Sequence, residues 1–243
     1  MKTIKTGLIL LVALLAITSC QKGGVFCYRP DGEVVRQDRG LSGFNKVSLC
    51  MAADVYIEYG EIHKVEVETS ENLHEIIETK ISGTTLEIDL KKRKCISGNP
   101  EIKVYITMPA LKDLSISGGG DIFVLNEMVG ESLEINVSGS GDIEMDSLNY
   151  NQIDTKISGS GDVYLNALDT VESHDIKISG SGKIEAFQAV TRNVDINVSG
   201  SGECEVNVLD HLDVNVSGSG DVIYQGTPEI DQNISGSGSV RPF

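Results

Sequence analysis

The chain has 243 residues, and its 20 lysines and arginines against 36 aspartates and glutamates give a net charge of −16. Nucleic acids and anionic lipid surfaces are bound through basic faces, so this balance argues against both as partners. Tryptophan is absent and only 5% of the residues are aromatic, which argues against a binding face built from stacked rings.

The N-terminus has the pattern of an export signal. A basic start precedes an apolar run over residues 7–17 that is too short to span a bilayer. The sequence Ile17-Thr18-Ser19-Cys20 follows and resembles the lipobox of bacterial lipoproteins. We therefore predict a signal peptide at residues 1–19 and a lipid on Cys20 that anchors the protein in the cell envelope. The outer membrane of a Gram-negative bacterium is the expected membrane, with the surface and the periplasmic orientation both open.

Composition divides the rest of the chain. Residues 20–40 contain Gly23-Gly24 and Pro30-Asp31-Gly32 and show little periodicity, which predicts a tether. Removal of residues 1–19 takes away two lysines, so the mature charge would be 18 − 36 = −18. A single domain is predicted over residues 41–243.

Residues 41–110 form a β-rich N-terminal segment by pattern. Apolar residues alternate with polar ones in short runs separated by turn formers, as strands with one buried face require. These runs are Val47/Leu49, Val55/Ile57, Val65/Val67, Leu86/Ile88 and Ile102/Val104/Ile106. A short helix is predicted after Ser70, where Leu73, Ile76 and Ile77 have helical spacing.

Residues 111–243 repeat one motif. Ser-Gly-Ser-Gly begins at Ser138, Ser158, Ser179, Ser199, Ser217 and Ser235, and the variant Ser117-Gly118-Gly119-Gly120 precedes them. Successive steps are 21, 20, 21, 20, 18 and 18 residues. Period-two apolar residues stand on both sides of each motif, so each repeat is predicted to be two strands joined at a corner, with Leu148, Leu168 and Leu209 closing the third side. This predicts an all-β solenoid of about seven turns. A β-propeller needs about 40 residues for each blade, which excludes it.

The motif itself is interpreted as a structural corner. Its glycines would supply positive φ or room for a sharp bend, and its serine hydroxyls would bond the neighbouring turn. The corner residues are Ser138, Gly139, Ser140, Gly141, Gly159, Gly161, Gly180, Gly182, Gly200, Gly202, Gly218 and Gly220.

Two columns of acidic residues accompany the motif. One lies four residues before the first serine and the other four residues after it. Stacked like charges need relief, and carboxylate and amide oxygens are ligands that calcium prefers. One hypothesis is therefore a ladder of calcium ions, and the other is a solvated face that keeps the solenoid soluble. The candidate cation ligands are Asp121, Asp142, Asp162, Asp154, Asp175, Asp195 and Asp213.

Cysteine and histidine residues give no catalytic pattern. Cys204 occupies an apolar column and is predicted to be a buried small hydrophobe, whereas pairing among Cys27, Cys50 and Cys95 is left open. His174 also stands in an apolar column and is expected at a strand edge. The acidic residues recur evenly instead of converging, which argues against a polysaccharide-cleaving β-helix enzyme, and no cofactor other than calcium is suggested.

Three features together carry a family resemblance: the lipobox, the alternating segment that ends in Val104-Tyr105-Ile106-Thr107-Met108-Pro109-Ala110, and the repeated Ile/Val-Ser-Gly-Ser-Gly-Asp-Ile/Val. The chain resembles the family described as "putative auto-transporter adhesin, head GIN domain". The resemblance implies a right-handed, single-stranded β-helix-like fold in an exported protein and brings no catalytic residues. A non-catalytic adhesion module for a glycan or protein ligand is the first expectation, and a periplasmic structural or sensory module that docks on a protein is the alternative. The oligomeric state is left open.

Overall fold

Parallel strand pairing dominates the computed structural model, which describes residues 27–243. The fold is all-β, a solenoid of about six turns, close to the seven predicted from the repeat. The strands are β1 Val34–Asp38, β2 Lys46–Leu49, β3 Asp54–Tyr59, β4 Lys64–Ser70, β5 Ile77–Ser82, β6 Thr85–Leu90, β7 Lys103–Met108, β8 Asp113–Ile116, β9 Ile122–Val124, β10 Met128–Val137, β11 Ile143–Ile157, β12 Val163–Ala167, β13 Val171–Ile178, β14 Lys183–Val198, β15 Glu203–Gly218, β16 Asp221–Gly226, β17 Glu229–Gly236 and β18 Ser239–Pro242.

Two long faces meet at the Ser-Gly corners. The upstream face, whose strands precede the corners, stacks β6, β2, β8, β10, β11, β13, β14, β15 and β17 in parallel. The downstream face, whose strands follow the corners, stacks β7, β3, β9, β11, β12, β14, β15, β16 and β18 in parallel. The long strands β11, β14 and β15 begin on the downstream face and end on the upstream face of the next turn. The repeat therefore sets the register of the whole array.

A short third side closes each turn. Met128 pairs with Leu148, and Thr191 pairs with Val208 one turn further on. Leu148 is fully buried as predicted, but the side chains of Leu168 and Leu209 are 55% and 40% exposed. Their prediction was wrong because the pairing is irregular here: register shifts follow Met145 and Tyr164 near Leu168, and another follows Thr191 opposite Leu209.

The N-terminal β segment continues the same stack. Strands β2 and β3 flank the corner Cys50-Met51-Ala52-Ala53 and pair in parallel with β8 and β9. At the far end the pairing becomes antiparallel, with β5 against β6 on the upstream face and β4 against β7 on the downstream face. These antiparallel strands cap the N-terminal end of the solenoid.

Part of the predicted tether belongs to the folded domain. Strand β1 pairs with β4 in antiparallel register, and Cys27 forms a disulfide with Cys95. The tether prediction was wrong for this part because β1 is an edge strand whose residues are mostly exposed, so it lacks the alternation that marks a strand with one buried face. The predicted signal peptide, Cys20 and residues 21–26 lie outside the described residues.

The predicted helix after Ser70 is a single 3₁₀ turn over Glu71–Leu73. Leu73 and Ile76 are buried in the core, as their spacing suggested. Ile77 instead begins β5. The spacing of Leu73, Ile76 and Ile77 alone does not distinguish a helix from a short turn followed by a strand. Antiparallel pairing with β6 places Ile77 in a strand.

The core runs along the axis between the faces. Each turn contributes apolar side chains that stack on their counterparts, such as Ile184 on Cys204 and Cys204 on Val222. All three are fully buried, which confirms the interpretation of Cys204 as a small hydrophobe. Burial also raises the pKa of its thiol.

Candidate binding surface

The Ser-Gly-Ser-Gly motifs form one edge of the solenoid. A β-carbon on Gly139 would overlap the carbonyl oxygen of Gly118, and one on Gly159 would overlap that of Gly139. Only glycine fits such a close approach between successive turns. Of the two reasons predicted for these glycines, room is the one that applies at Gly139 and Gly141, since neither has positive φ. All twelve predicted corner residues lie on this edge, where successive turns approach each other closely.

The serines of this edge are bound by their backbones and expose their side chains. The backbone N–H of Ser160 donates to the carbonyl oxygen of Gly139 at 3.0 Å, and Ser199 N–H donates to Ile178 at 2.8 Å. A hydroxyl bond to the preceding turn, as predicted, is formed by Ser138, whose Oγ donates to Ile116 at 3.3 Å. Exposed hydroxyls thus repeat along the edge at the spacing of the turns.

The aspartates that follow the corners are linked through the backbone. Oδ1 of Asp121 accepts from the N–H of Asp142 at 2.8 Å, Oδ1 of Asp142 from Asp162 at 2.7 Å, and Oδ1 of Asp162 from Lys183 at 2.7 Å. Lys183 stands in the column at the next turn and has no carboxylate to accept a bond. The N–H of Glu203 therefore donates to the carbonyl oxygen of Gly182 instead. Hydrogen bonding between turns therefore accounts for the aspartates at Asp121, Asp142 and Asp162.

The acidic column before the corners is stacked in register. It contains Asp113, Glu134, Asp154, Asp175, Asp195, Asp213 and Asp231 as consecutive partners. Neighbouring groups offset the repulsion between these carboxylates. Nζ of Lys156 lies 2.8 Å from Oε1 of Glu134, and this hydrogen bond is the main reason that the pKa of the Glu134 carboxyl is lowered. Partial burial, with Asp213 and Asp175 adding to it, raises the pKa of Asp195.

Calcium binding by the acidic columns stays a prediction. Among residues 27–243 there is no group of three or more His, Cys, Asp and Glu side chains placed to hold a metal ion. The candidate ligands fall into the two columns, with Asp121, Asp142 and Asp162 in one and Asp154, Asp175, Asp195 and Asp213 in the other, on opposite sides of the corner.

A groove of about 420 Å³ with both polar and apolar lining lies beside the corner on the upstream face. Its rim is built from three ladders of residues in successive turns, which are Lys177, Asn197, Asn215 and Asn233; Ser179, Ser199, Ser217 and Ser235; and Ile178, Val198 and Val216. Two of the amides are oriented by the acidic column, since Asn197 donates to Asp195 at 2.7 Å and Asn215 to Asp213 at 3.2 Å. The groove therefore offers hydroxyl and amide groups in a repeating array.

Aromatic rings are stacked on the downstream face. The centroid of the Tyr56 ring lies 5.4 Å from that of Tyr105 and 5.3 Å from that of Phe123, and the Arg36 guanidinium caps Tyr105 at 3.8 Å. The low aromatic content of the sequence did not predict this cluster, because composition does not show which residues lie side by side in paired strands. The sequence signal that could have predicted the cluster is the alternation in each strand, which places each of these rings on the outward side. Both faces of Tyr56 pack against its neighbours, so its flat surfaces are covered.

An acidic groove of about 440 Å³ lies further along the downstream face, where Tyr164 and Phe187 stand among carboxylates. Beside it, Lys183 bridges Glu185, Glu203 and Glu205 at 2.9 Å each. Partial burial lowers the pKa of Lys183, but the three carboxylates outweigh this and raise it overall. The Lys183 ammonium group is therefore paired with three carboxylates and offsets part of their negative charge.

His174 and the cysteines complete the candidates. His174 lies within β13 and is buried, not at a strand edge as predicted, because Thr155 in the preceding turn offers it a hydrogen-bond partner at 2.9 Å. Cys27 and Cys95 pair, which leaves Cys50 as an exposed thiol.

Comparison with known proteins follows this geometry. A family model described as "putative auto-transporter adhesin, head GIN domain" matches residues 43–228. The chain belongs to this family. The match covers the N-terminal coils and all but the last repeat of the head GIN domain, and it indicates an extracellular or envelope-associated protein.

Solved structures share the fold of this head GIN domain. A putative adhesin from Bacteroides fragilis superimposes with a TM-score of 0.84 at 24% identity, covering 89% of this chain and 100% of its own. A putative lipid binding protein from Parabacteroides distasonis gives a TM-score of 0.74 at 26% identity, covering 90% and 100%. A comparison with curated proteins gives no match. In residues 27–243 no helix has the length and apolar character needed to cross a membrane.

Proposed function

We propose that this head GIN protein is a non-catalytic envelope adhesin that binds a repeating glycan along the groove beside the corners of its upstream face. The observation that carries this is the array of serine hydroxyls and asparagine amides at successive turns. Hydroxyls and amides both donate and accept hydrogen bonds, which matches the many hydroxyls of a sugar polymer. Repetition at about 4.8 Å along the axis suits a ligand that itself repeats.

Binding at the outer surface follows from the packing. The interior between the faces is filled by buried aliphatic side chains, from Val47 near the capped end to Val222. Most carboxylates run along the faces in columns, and in the acidic groove Glu185 and Glu205 are already paired with Lys183, which supports attachment over catalysis. The lipid binding assigned to the Parabacteroides distasonis relative is therefore not the function we propose.

Attachment by a lipid on Cys20 to the outer membrane of a Gram-negative bacterium belongs to the same proposal. An N-terminal anchor would leave the solenoid free to project from the membrane. Protease shaving of intact cells that carry a C-terminally tagged copy tests the orientation, with a known periplasmic protein as the control. Loss of the tag alone supports adhesion. Survival of both until the outer membrane is opened would overturn adhesion in favour of a periplasmic docking module.

Ligand binding is tested with a polysaccharide panel and two matched variants. Ser199 lies in the groove, whereas Ser138 occupies the same place in an earlier turn outside it. Ser199→Tyr should block the groove and reduce binding at least about tenfold, which corresponds to 1.4 kcal/mol. Ser138→Tyr should leave binding unchanged. Equal binding by both variants, or no binding to any glycan, would contradict the groove as the site.

A further inference from the structure

The two ends of the solenoid are finished differently. At the N-terminal end, both faces end in antiparallel strands over a buried layer that includes Leu73 and Ile76. At the other end of the described chain, β17 pairs with β15 on one edge only. Ile234 is 39% exposed there, whereas its counterpart Val216 in the preceding turn is 2% exposed. The last coil of the described chain is therefore uncapped.

The free edge of β17 has backbone groups ready to pair. In earlier turns, the carbonyl oxygen before each motif serine accepts from the next turn, as Ile178 does from Ser199 at 2.8 Å. Ile234 holds that place in the last coil, so its carbonyl points to the free edge. Backbone groups alternate in direction along a strand, so those of Ile230 and Gln232 point the same way. An unpaired row of this kind is a template for another strand.

The sequence of β17 is self-complementary about Gln232. Antiparallel pairing with a second copy about a two-fold axis at Gln232 places Ile230 opposite Ile234 and Asp231 opposite Asn233. The paired residues 230, 232 and 234 are those whose backbone groups point to the free edge. Asp231 and Asn233 then fall at the positions where facing side chains are closest.

The facing chemistry also fits. Asn197 and Asn215 donate to Asp195 and Asp213 two residues away in their own strands, so this surface already forms hydrogen bonds between an amide and a carboxylate. A further coil stacked in parallel would instead add to the column in which Asp213 faces Asp231. We infer that a second copy of this chain docks on the β17 edge by antiparallel pairing, forming an end-to-end dimer. On the adjoining face Pro242 in β18 lacks an N–H, which restricts the pairing to β17.

Sedimentation of the exported chain as a function of concentration tests this dimer. The chain would carry Cys20→Ala, so that a lipid at that residue cannot drive association. We expect a reversible dimer that becomes tighter as salt rises, because two strongly acidic bodies approach each other. A monomer at every concentration and salt level would overturn the inference.

Charge exchange identifies the edge. Asn233→Asp places aspartate opposite aspartate in both symmetric pairs and should weaken the dimer about tenfold. Adding Asp231→Asn restores an acid opposite an amide in the same register, and the double variant should recover the dimer. Gln232→Pro removes an outward N–H and should also weaken it. A dimer affinity that is the same in all three variants as in the parent chain would contradict pairing through β17.

Discussion

The carboxylate of Asp142 accepts a hydrogen bond of 2.7 Å from the backbone N–H of Asp162, one turn further along the solenoid. The same contact joins Asp121 to Asp142 and Asp162 to Lys183. A column of acids that would otherwise only repel is thereby part of the hydrogen bonding that holds successive turns together.

Removal of this acceptor should destabilise the corner. Asp142→Ala leaves the Asp162 N–H without its partner, and the expected cost is about 1–3 kcal/mol. Asp142→Asn keeps an oxygen acceptor and should recover most of the loss. Urea unfolding measures the difference, with Glu144→Ala as the control because Glu144 is exposed two residues further along the chain, in β11. Equal midpoints for Asp142→Ala and the control would show that the contact contributes nothing.

Substitution of a corner glycine should disrupt the stack. The β-carbon in Gly159→Val would overlap the Gly139 carbonyl oxygen, so the turns must separate locally. Overpacking of this kind costs up to about 3 kcal/mol. Gly119→Ser is the matched control, because its β-carbon has no atom within 4 Å. Thermal melting followed by circular dichroism should show a marked fall for Gly159→Val alone, and an unchanged midpoint would contradict the corner model.

The disulfide should stabilise the N-terminal cap. Cys27 and Cys95 are 68 residues apart, and closing a loop of that length in the unfolded chain corresponds to about 4 kcal/mol. The double variant Cys27→Ser with Cys95→Ser should lower the free energy of unfolding by up to that amount. Cys50→Ser removes an exposed thiol and should change nothing. Equal stability of the double variant and the native chain in denaturant would rule out this contribution.

Acid should weaken the fold through His174. Burial lowers the pKa of His174 from 6.5 to about 3. Below pH 6.5 the imidazole therefore binds a proton in the unfolded chain but stays neutral in the folded chain. Stability is therefore present above pH 6.5 and falls as the pH decreases, by about 2 kcal/mol at pH 5. His74, whose pKa is lowered by burial and by Arg39, acts in the same direction.

A double variant isolates the His174 contribution. His174→Leu with Thr155→Val removes the buried pair together, so neither polar group is left without its partner. Its stability should change less between pH 7 and pH 5 than that of the native chain. Parallel pH profiles for the two proteins would mean that His174 is protonated inside the fold.

Periodicity predicted most of the solenoid because one repeat sets both the alternation and the register. The corners from Ser138 to Gly220, the buried Cys204 and the two acidic columns follow from it. It failed where contacts do not repeat: β1 is an exposed edge strand, Cys27 finds Cys95 across the cap, and the rings of Tyr56 and Tyr105 meet only because β3 and β7 pair. Such pairings between distant segments leave no mark in the local pattern.

Calcium distinguishes the two hypotheses for the acidic columns. Asp121, Asp142 and Asp162 each have an oxygen engaged with the backbone, so the column before the corners, at Asp195 and its neighbours, is where an ion would act. Millimolar calcium should raise the melting temperature no more than sodium chloride of matched ionic strength if the column is only a solvated face. A larger rise that chelator reverses and Asp195→Asn abolishes would establish the ion ladder. We expect the first result, because Asn197 already donates to Asp195 at 2.7 Å and occupies one of its oxygens.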